Sequence, residues 1–256
     1  MGGFFIFDGM KTLHKIVAAP FSVLFYLVFG LLLVVFDVIQ RICLNLFGYN
    51  AHKHAVTICN GLTVLALHLT GATISFTNKQ TLHQNTPYII VSNHQSMWDI
   101  PPLIWFLRKI HPKFISKIEL GKGIPTVSYN LRKGGSILID RKNPKQSTEA
   151  IIKGAKYISE NGRSMVIFAE GTRSRDGHPK PFRKKGLLTL FEHAPDAYVL
   201  PITINNSWKL QRFGTFPIPL FTRLKFEVHP PKKVSDYEPH QLIELLETEI
   251  HSKVEV

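Results

Sequence analysis

The chain has 256 residues, which is enough for one globular domain and an added segment. Its formal net charge is +13, and residues 105–190 alone hold 19 Lys and Arg against 6 Asp and Glu. Such a field attracts anionic ligands, anionic membrane surfaces or nucleic acid. The two cysteines, Cys43 and Cys59, lack the spacing of a zinc site, and buried free thiols are the better interpretation.

Two long apolar segments occupy the N-terminal part. Residues 16–36 carry no charge over 21 positions, which as a helix would extend about 31 Å and cross a bilayer core. Residues 55–76 form a second uncharged segment. We expect two membrane helices in an anchor spanning residues 1–76, either crossing the bilayer or lying as a hairpin in one leaflet. The alternative is two buried helices of a soluble bundle.

From residue 77 onward, short apolar strands alternate with helical patterns, which predicts an α/β domain over residues 77–256 with a mixed sheet flanked by helices. One helix is marked by a capping Asn143, Pro144 in its first turn and Gly162 after its end. Strands are predicted at 88–92, 113–116, 136–140, 164–168, 198–204 and 223–228, and helices at 97–108, 144–160, 184–194 and 238–252.

Two features near the C-terminus have simple structural interpretations. The residues Pro217, Ile218 and Pro219 do not fit regular structure and predict an exposed loop. In the last helix, one apolar face is expected to pack on the domain, and its predicted members are Leu242, Leu245, Leu246 and Ile250.

The densest polar stretch follows the first predicted strand of the domain. Residues 91–100, VSNHQSMWDI, hold five polar side chains within seven positions. His94 and Asp99 are five apart, which is about 140° around a regular helix, so they would not share a helical face. They pair only if His94 lies on the turn and Asp99 in the first turn of the next helix. The carboxylate then fixes the imidazole tautomer and leaves one nitrogen free to take a proton; the alternative is that both residues are helix caps.

Three further blocks follow in order: GGSILIDR at 134–141, FAEGTRS at 168–174 and VLPITI at 199–204. With NHQSMWD at 93–99, they have the order and approximate spacing found in the glycerolipid acyltransferases. The sequence resembles the 1-acylglycerol-3-phosphate acyltransferase family over residues 85 to about 230. A His-x4-Asp pattern alone is weak, but all four blocks in order are a specific signal.

The resemblance implies transfer of a fatty acyl group from acyl-CoA or acyl-carrier protein to lysophosphatidic acid, giving phosphatidic acid, with no cofactor and no metal. It implies that His94 is the general base and that Asp99 orients it. It places Arg141 and Arg173 at the acceptor phosphate, whose oxygens match the guanidinium fork. The remaining residues that the resemblance places in the site are Lys117, Glu170, Gly171 and Thr172.

Other chemistries are disfavoured by the motifs. Ser96 lacks the Gly-x-Ser-x-Gly turn of a serine nucleophile, and no His-Glu-x-x-His or paired-cysteine pattern predicts zinc. The transfer also needs an oxyanion site, for which backbone N–H groups at the start of the helix after the strand are the candidates. A basic run, Arg175 to Lys185, is either solvated surface or a contact for lipid headgroups or donor phosphates.

Three functions therefore remain open. The first is the acyl transfer to lysophosphatidic acid, and the second is a related transfer to glycerol phosphate or another lysophospholipid. The third is a non-catalytic, membrane-tethered protein that binds anionic lipid through its basic face. Nucleic acid is disfavoured because the basic block has no reader motif and no interleaved aromatic residues. The charge excess after the apolar segments predicts that the domain lies on the cytoplasmic face.

Overall fold

The computed structural model describes residues 2–256, with side chains from residue 10 onward, so Met1 of the predicted anchor lies outside the described residues. The helices are α1 (Gly2–Leu67), α2 (Ile100–Phe106), α3 (Val127–Lys133), α4 (Pro144–Asn161), α5 (Lys184–His193) and α6 (Pro239–His251). The strands are β1 (Thr73–Asn78), β2 (Tyr88–Ser92), β3 (Pro112–Lys117), β4 (Ile137–Ile139), β5 (Ser164–Phe168), β6 (Tyr198–Asn205), β7 (Arg223–Val228) and β8 (Lys232–Lys233).

The strands form one sheet in the order β1-β7-β6-β2-β5-β3-β4, with β8 beside β6. Strands β2, β3, β4, β5 and β6 are mutually parallel, while β7 runs antiparallel to β6 and parallel to β1. The predicted mixed sheet flanked by helices is therefore confirmed. Since the carboxyl ends of the five parallel strands meet at one edge, the turns that follow them lie close together.

Both faces of the sheet are covered, which explains why β2 is apolar at consecutive positions. Ile90 belongs to a buried cluster with residues of α1 and α2, including Phe25 and Leu103. The neighbouring Ile89 and Val91 point to the other side and belong to a second cluster with residues of α4, α5 and α6. This alternation follows from the period of two along a strand.

The predicted strands and helices of the domain all have counterparts in the structure, with ends that differ by a few residues. The cap of α4 is present as predicted: Asn143 accepts a hydrogen bond from the Gln146 N–H, and Gly162 ends the helix with φ +56°. The predicted helix over 97–108 is divided, because a 3₁₀ turn, Met97–Asp99, precedes α2. Sequence reasoning did not predict β1, α3 or β8.

The prediction of two separate N-terminal helices is not confirmed in that form. One helical element, α1, runs from Gly2 to Leu67, and it is interrupted by the non-helical backbone of Gly48, with φ 78° and ψ −172°. Met10–Thr70 is long and apolar enough to cross a membrane, with a mean hydropathy of 2.6 in its most apolar window. Only 17% of that window is buried in the protein, so most of its apolar surface is exposed.

One side of α1 is nevertheless built into the domain. Phe25 and Leu67 are fully buried, and Phe25 packs edge-to-face on Trp98 with ring centroids 5.1 Å apart. The Thr126 N–H donates to the Asp37 carboxylate at 2.7 Å. Strand β1 extends across the predicted boundary between residues 76 and 77, so the sheet begins before that boundary. Pairing with β7 accounts for this, since β1 buries Ile74 and Phe76 against the first cluster.

Two further expectations are wrong. Pro217, Ile218 and Pro219 are buried rather than exposed, because the segment lies under α1 and the Ile218 N–H donates to Ser22 Oγ at 2.9 Å. On α6, Leu245 is exposed, and Ile243 takes its place in the buried face.

Candidate active site

A groove of about 500 Å³ lies at the edge where the carboxyl ends of β2, β3, β4 and β5 meet. One part of its wall is apolar and includes Ile115, Leu120, Ile139, Ile151 and Ile167. The other part is cationic, with no Asp or Glu among the lining residues that the structure describes. The cationic members are Lys117, Arg141, Arg173, Arg175, Arg183 and Lys185. The groove therefore suits a ligand that is partly hydrocarbon and partly anionic.

His94 lies in the wall of this groove, on the turn after β2, and Asp99 lies in the following 3₁₀ turn. The two side chains are paired, with 2.7 Å between His94 Nδ1 and Asp99 Oδ2. This is the arrangement that their spacing required. The imidazole stacks on Phe168, with ring centroids 3.8 Å apart, so its plane is fixed as well as its tautomer. His94 Nε2 makes no hydrogen bond to any residue that the structure describes, which leaves it available to a ligand.

The Asp99 carboxylate is fully buried and accepts four hydrogen bonds. Besides His94, the donors to Oδ2 are the Gln95 and Ser96 N–H groups at 2.8 and 3.0 Å. The fourth donor is the Ser207 hydroxyl, which bonds Oδ1. Because Asp99 engages these two backbone N–H groups, they are not available to an oxyanion, and other N–H groups would have to serve. Asp99 thus both caps the turn and pairs with His94, so the two interpretations of this residue hold together.

Ser96 has no role as a nucleophile in this arrangement. Its side chain is fully buried, and its Oγ accepts a hydrogen bond from the Trp98 N–H at 3.1 Å. Ser96 and Asp99 together form a capping box. The Ser96 side chain accepts from the backbone of the turn, and the Asp99 side chain accepts from the Ser96 backbone N–H.

Hydrogen bonds from distant strands hold the His-Asp turn in place. Asn93 exchanges two bonds with the backbone of Ile204 at the end of β6, each of 2.8 Å. The Ser207 N–H donates to Gln95 Oε1 at 3.1 Å, and the Ser174 N–H donates to the His94 carbonyl at 2.7 Å. The turns after β2, β5 and β6 are therefore tied into one unit.

Glu170, on the turn after β5, is a second buried carboxyl group, with 2% of its surface exposed. Neither carboxylate oxygen makes a hydrogen bond of ordinary geometry to the described residues. Burial raises the pKa of Glu170 to about 7 against its usual 4.5, and the Asp99 charge raises it slightly further. The nearby His94 backbone N–H and Lys180 oppose this rise in pKa. Glu170 can therefore exchange a proton near neutral pH.

Both the backbone conformation at position 171 and the side chain that packs over it require glycine there. Its φ is +68°, and a Cβ at this position would lie 2.6 Å from Cδ of Arg183. The side chain of Arg183 thus crosses the Glu-Gly-Thr-Arg turn directly. Sequence reasoning left Arg183 in a basic run whose role was open, and only the folded chain brings it beside the motif.

The structure brings six of the eight residues that the sequence suggested into the wall of the groove, while Asp99 and Glu170 are buried behind it. Burial lowers the pKa of Arg173, and the Asp99 carboxylate opposes that change, which places the guanidinium within electrostatic reach of the His-Asp pair. Partial burial lowers the pKa of Arg141, and Arg183 lowers it further. Lys117 and Thr172 line the groove with exposed side chains. Ser207 was missed, because it lies 108 residues from Asp99 and no motif marks it.

An oriented histidine beside a groove that is both apolar and cationic defines a class of site, one suited to base-assisted transfer between amphiphilic substrates. The comparison with protein families agrees with this class. A family model described as "Acyltransferase" matches residues 73–205, slightly more than half of the chain. The chain belongs to this acyltransferase family.

Individual relatives carry more specific names. The chain is 32% identical over 147 residues to a chloroplast 1-acyl-sn-glycerol-3-phosphate acyltransferase of Brassica napus, and this match covers 57% of this chain and 41% of the relative. It is 29% identical to the Borreliella burgdorferi protein of the same name, over 75% of both chains. The chain thus spans less than half the length of some curated relatives. The crystal structure of a Thermotoga maritima 1-acyl-sn-glycerophosphate acyltransferase has the same fold, with a TM-score of 0.75 and 22% identity over 93% of this chain and 95% of that one.

Proposed function

We propose that the protein transfers a fatty acyl group from an acyl thioester to the sn-2 hydroxyl of 1-acylglycerol-3-phosphate, giving phosphatidic acid. The observation that carries the proposal is the position of His94: its free Nε2 lies in a groove that combines hydrocarbon-like and cationic walls. The relatives named for this activity support the same choice of acceptor.

The proposed mechanism is a single displacement on the thioester. His94 Nε2 removes the proton of the acceptor hydroxyl, whose oxygen attacks the thioester carbonyl. The tetrahedral intermediate collapses, the new ester forms, the carbon–sulfur bond breaks, and the thiolate takes the proton back from His94. Asp99 keeps Nδ1 protonated and stabilises the imidazolium that forms in between. No cofactor is needed, because the thioester already carries an activated acyl group.

The two parts of the groove divide the substrates between them. Arg141, Arg173 and Lys117 are proposed to bind the acceptor phosphate, with Glu170, Gly171 and Thr172 at its glycerol end. Guanidinium groups suit this task because they form paired, charge-assisted hydrogen bonds to phosphate oxygens. The apolar wall, formed by the side chains beyond His94, is proposed to hold acyl chain.

The proposed setting is a membrane surface. The exposed apolar side of α1 anchors the protein in lipid, and the groove faces the cytoplasm, where acyl-CoA or acyl-carrier protein is found. Carbonate extraction tests the anchor, since the full chain is expected to stay with the membrane. Protease treatment of sealed vesicles tests the side, since the domain is expected to be cut only from its cytoplasmic face.

One assay separates the proposed activity from its competitors. The purified full chain is incubated with labelled oleoyl-CoA or oleoyl-acyl-carrier protein and a panel of acceptors: lysophosphatidic acid, glycerol 3-phosphate, lysophosphatidylcholine and monoacylglycerol. We expect phosphatidic acid from the first acceptor at the highest kcat/KM. A preference for glycerol phosphate or another lysophospholipid favours the related transferase, and no product with any pair favours the binding protein.

A further inference from the structure

Two phenylalanines stand out in the segment between β6 and β7, residues 212–222, called here the aromatic loop. Phe216 is 48% exposed, and Phe221 is 78% exposed, more than any described large apolar side chain of α1. Exposed large apolar side chains normally mark a contact with another molecule when they occur together rather than singly. Nothing in the catalytic arrangement uses either residue.

The backbone of Phe221 makes its identity harder to explain. Its φ is +59°, in the left-handed region where glycine or asparagine is favoured and a bulky residue is strained. The Phe221 N–H donates to the Thr70 carbonyl at 3.1 Å, and the ring lies on Gly71, where a Cβ would be 2.6 Å from a ring carbon. Neither the backbone conformation nor burial within the protein therefore favours phenylalanine at position 221. An apolar contact with another molecule would favour it.

The position of the loop indicates what that contact is. The loop lies along the N-terminal half of α1: the Leu220 N–H donates to His14 Nε2, the Ile218 N–H donates to Ser22 Oγ, and the Tyr26 hydroxyl donates to the Thr215 carbonyl. Next to these contacts, α1 presents many exposed apolar side chains, among them Leu13, Ile16, Val17, Phe21, Leu24 and Leu27. The two phenylalanines thus adjoin the apolar surface of α1.

The charged residues of the loop and of the turn before it are all positive. Residues 207–222 include Lys209 and Arg212 but no Asp or Glu. Arg212 Cζ lies 4.8 Å and Lys15 Nζ lies 5.1 Å from the ring centroid of Phe213. Cations with apolar stems beside exposed aromatic rings suit the boundary between anionic headgroups and acyl chains.

We propose that Phe216 and Phe221 insert into an anionic lipid bilayer beside α1 and form a second membrane contact. The loop follows the 3₁₀ turn Ser207–Gln211, whose first residue bonds Asp99. Its depth in the bilayer therefore fixes the distance between the catalytic turn and the lipid surface. The inference rests on the membrane setting of the proposed function, but it does not depend on which acyl transfer takes place.

Depth-dependent quenching tests the insertion. Single variants Phe216→Trp and Phe221→Trp of the full chain are reconstituted in phosphatidylglycerol–phosphatidylcholine vesicles with or without lipids brominated in mid-chain. The added tryptophan signal, taken as the difference from the parent protein, is expected to shift to shorter wavelength and to be quenched. Leu27→Trp on α1 is the positive control. Tyr237→Trp is the negative control, since this exposed aromatic precedes α6 on the opposite face of the sheet.

The outcomes separate the loop from the anchor. Quenching at Leu27→Trp without quenching at either loop position overturns the second contact and leaves the anchor standing. Absence of quenching at all positions overturns both.

A second variant distinguishes lipid contact from a structural role. Phe221→Asn suits the positive φ, so its melting temperature in detergent is expected to equal or exceed that of the parent protein. Its turnover is expected to fall with an acceptor embedded in vesicles and to stay unchanged with a short-chain, monomeric acceptor. A lower melting temperature, or equal losses with both acceptors, overturns the proposal.

Discussion

The turns after β2 and after β5 each bury a carboxyl group next to the same histidine. The two carboxyl groups differ in how fully they are hydrogen-bonded. Asp99, with no exposed surface, accepts four hydrogen bonds. Glu170, with 2% exposed, makes no hydrogen bond of ordinary geometry to the described residues, and burial raises its pKa to about 7. A buried charge is tolerable when it is fully bonded, and an unbonded carboxyl group shifts towards its neutral form instead.

The difference indicates two kinds of task. The first turn is complete without ligand, so it is suited to hold His94 in one orientation throughout a reaction. In the second turn, Glu170 has no comparable set of hydrogen bonds, and Arg173 faces a groove with no acidic side chain among its described lining residues. We expect substitutions in the first turn to act on turnover and substitutions in the second to act on acceptor binding.

His94→Ala is expected to have the largest effect. Loss of the base should lower kcat by about 10²–10⁴-fold, because general-base catalysis contributes that range. The measurement is turnover of labelled thioester by protein whose melting temperature matches the parent. His83→Ala, on an exposed loop, is the matched control. Turnover near that of the parent in the His94 variant would contradict the mechanism.

Asp99→Asn should reduce kcat by a smaller factor than His94→Ala, because the base remains but its orientation and the charge beside it are lost. KM for both substrates should change little. A loss as large as that of His94→Ala has two distinguishable causes. Near-ultraviolet circular dichroism would reveal a collapsed turn, and an unchanged spectrum would mean that the amide holds the imidazole in the wrong tautomer.

Arg173→Ala should raise the KM for lysophosphatidic acid by about 10–100-fold, since a charge-assisted hydrogen bond contributes about 1.5–3 kcal/mol. Turnover of an unphosphorylated monoacylglycerol, a poor acceptor for the parent, should be little affected. Arg223→Ala on the exposed side of β7 is the matched control. Equal use of both acceptors by the parent protein would refute the phosphate assignment.

Ser207→Ala should lower kcat by about tenfold or less, through the loss of one hydrogen bond to a carboxylate. Without this donor the Asp99 carboxylate is held less firmly against His94, so kcat should fall while KM for both substrates stays constant. A rise in KM with unchanged kcat would contradict this positioning role.

Glu170→Gln should produce the smallest effect, visible as a change in stability with pH. Between about pH 4.5 and 7 the folded parent keeps a proton that the unfolded chain has lost, so its free energy of unfolding falls as the pH rises through this window. The variant lacks this titration. Its melting temperature relative to the parent should therefore increase from pH 5 to pH 8, and a constant difference would show that Glu170 is already ionised or partnered.

Much of the domain follows from local pattern. The strands β2 and β5 lie at their predicted positions, because continuous apolar runs bounded by polar turns leave few other structures. The His94–Asp99 pair was also predictable, since the partners lie five positions apart and only a turn followed by a helical start brings them together.

Contacts between distant segments were not predictable in the same way. Four of the six residues of β1 are exposed, and only two are apolar, so its place in the sheet depends on pairing with β7, which lies 150 residues later in the chain. The Pro217–Ile218–Pro219 segment has the composition of a surface loop but is buried, because α1 lies over it.

The candidate site residues could be identified from the sequence, because their types and spacing lie within short motifs. Which of these residues lie side by side depends on contacts between segments that are far apart in the chain. The parallel sheet brings the ends of β2, β5 and β6 to one edge, so Ser207 meets Asp99 and Arg183 crosses Gly171. It also leaves Glu170 buried with no well-formed hydrogen bond to the described residues, a property that depends on everything packed around it and on no pattern in its own segment.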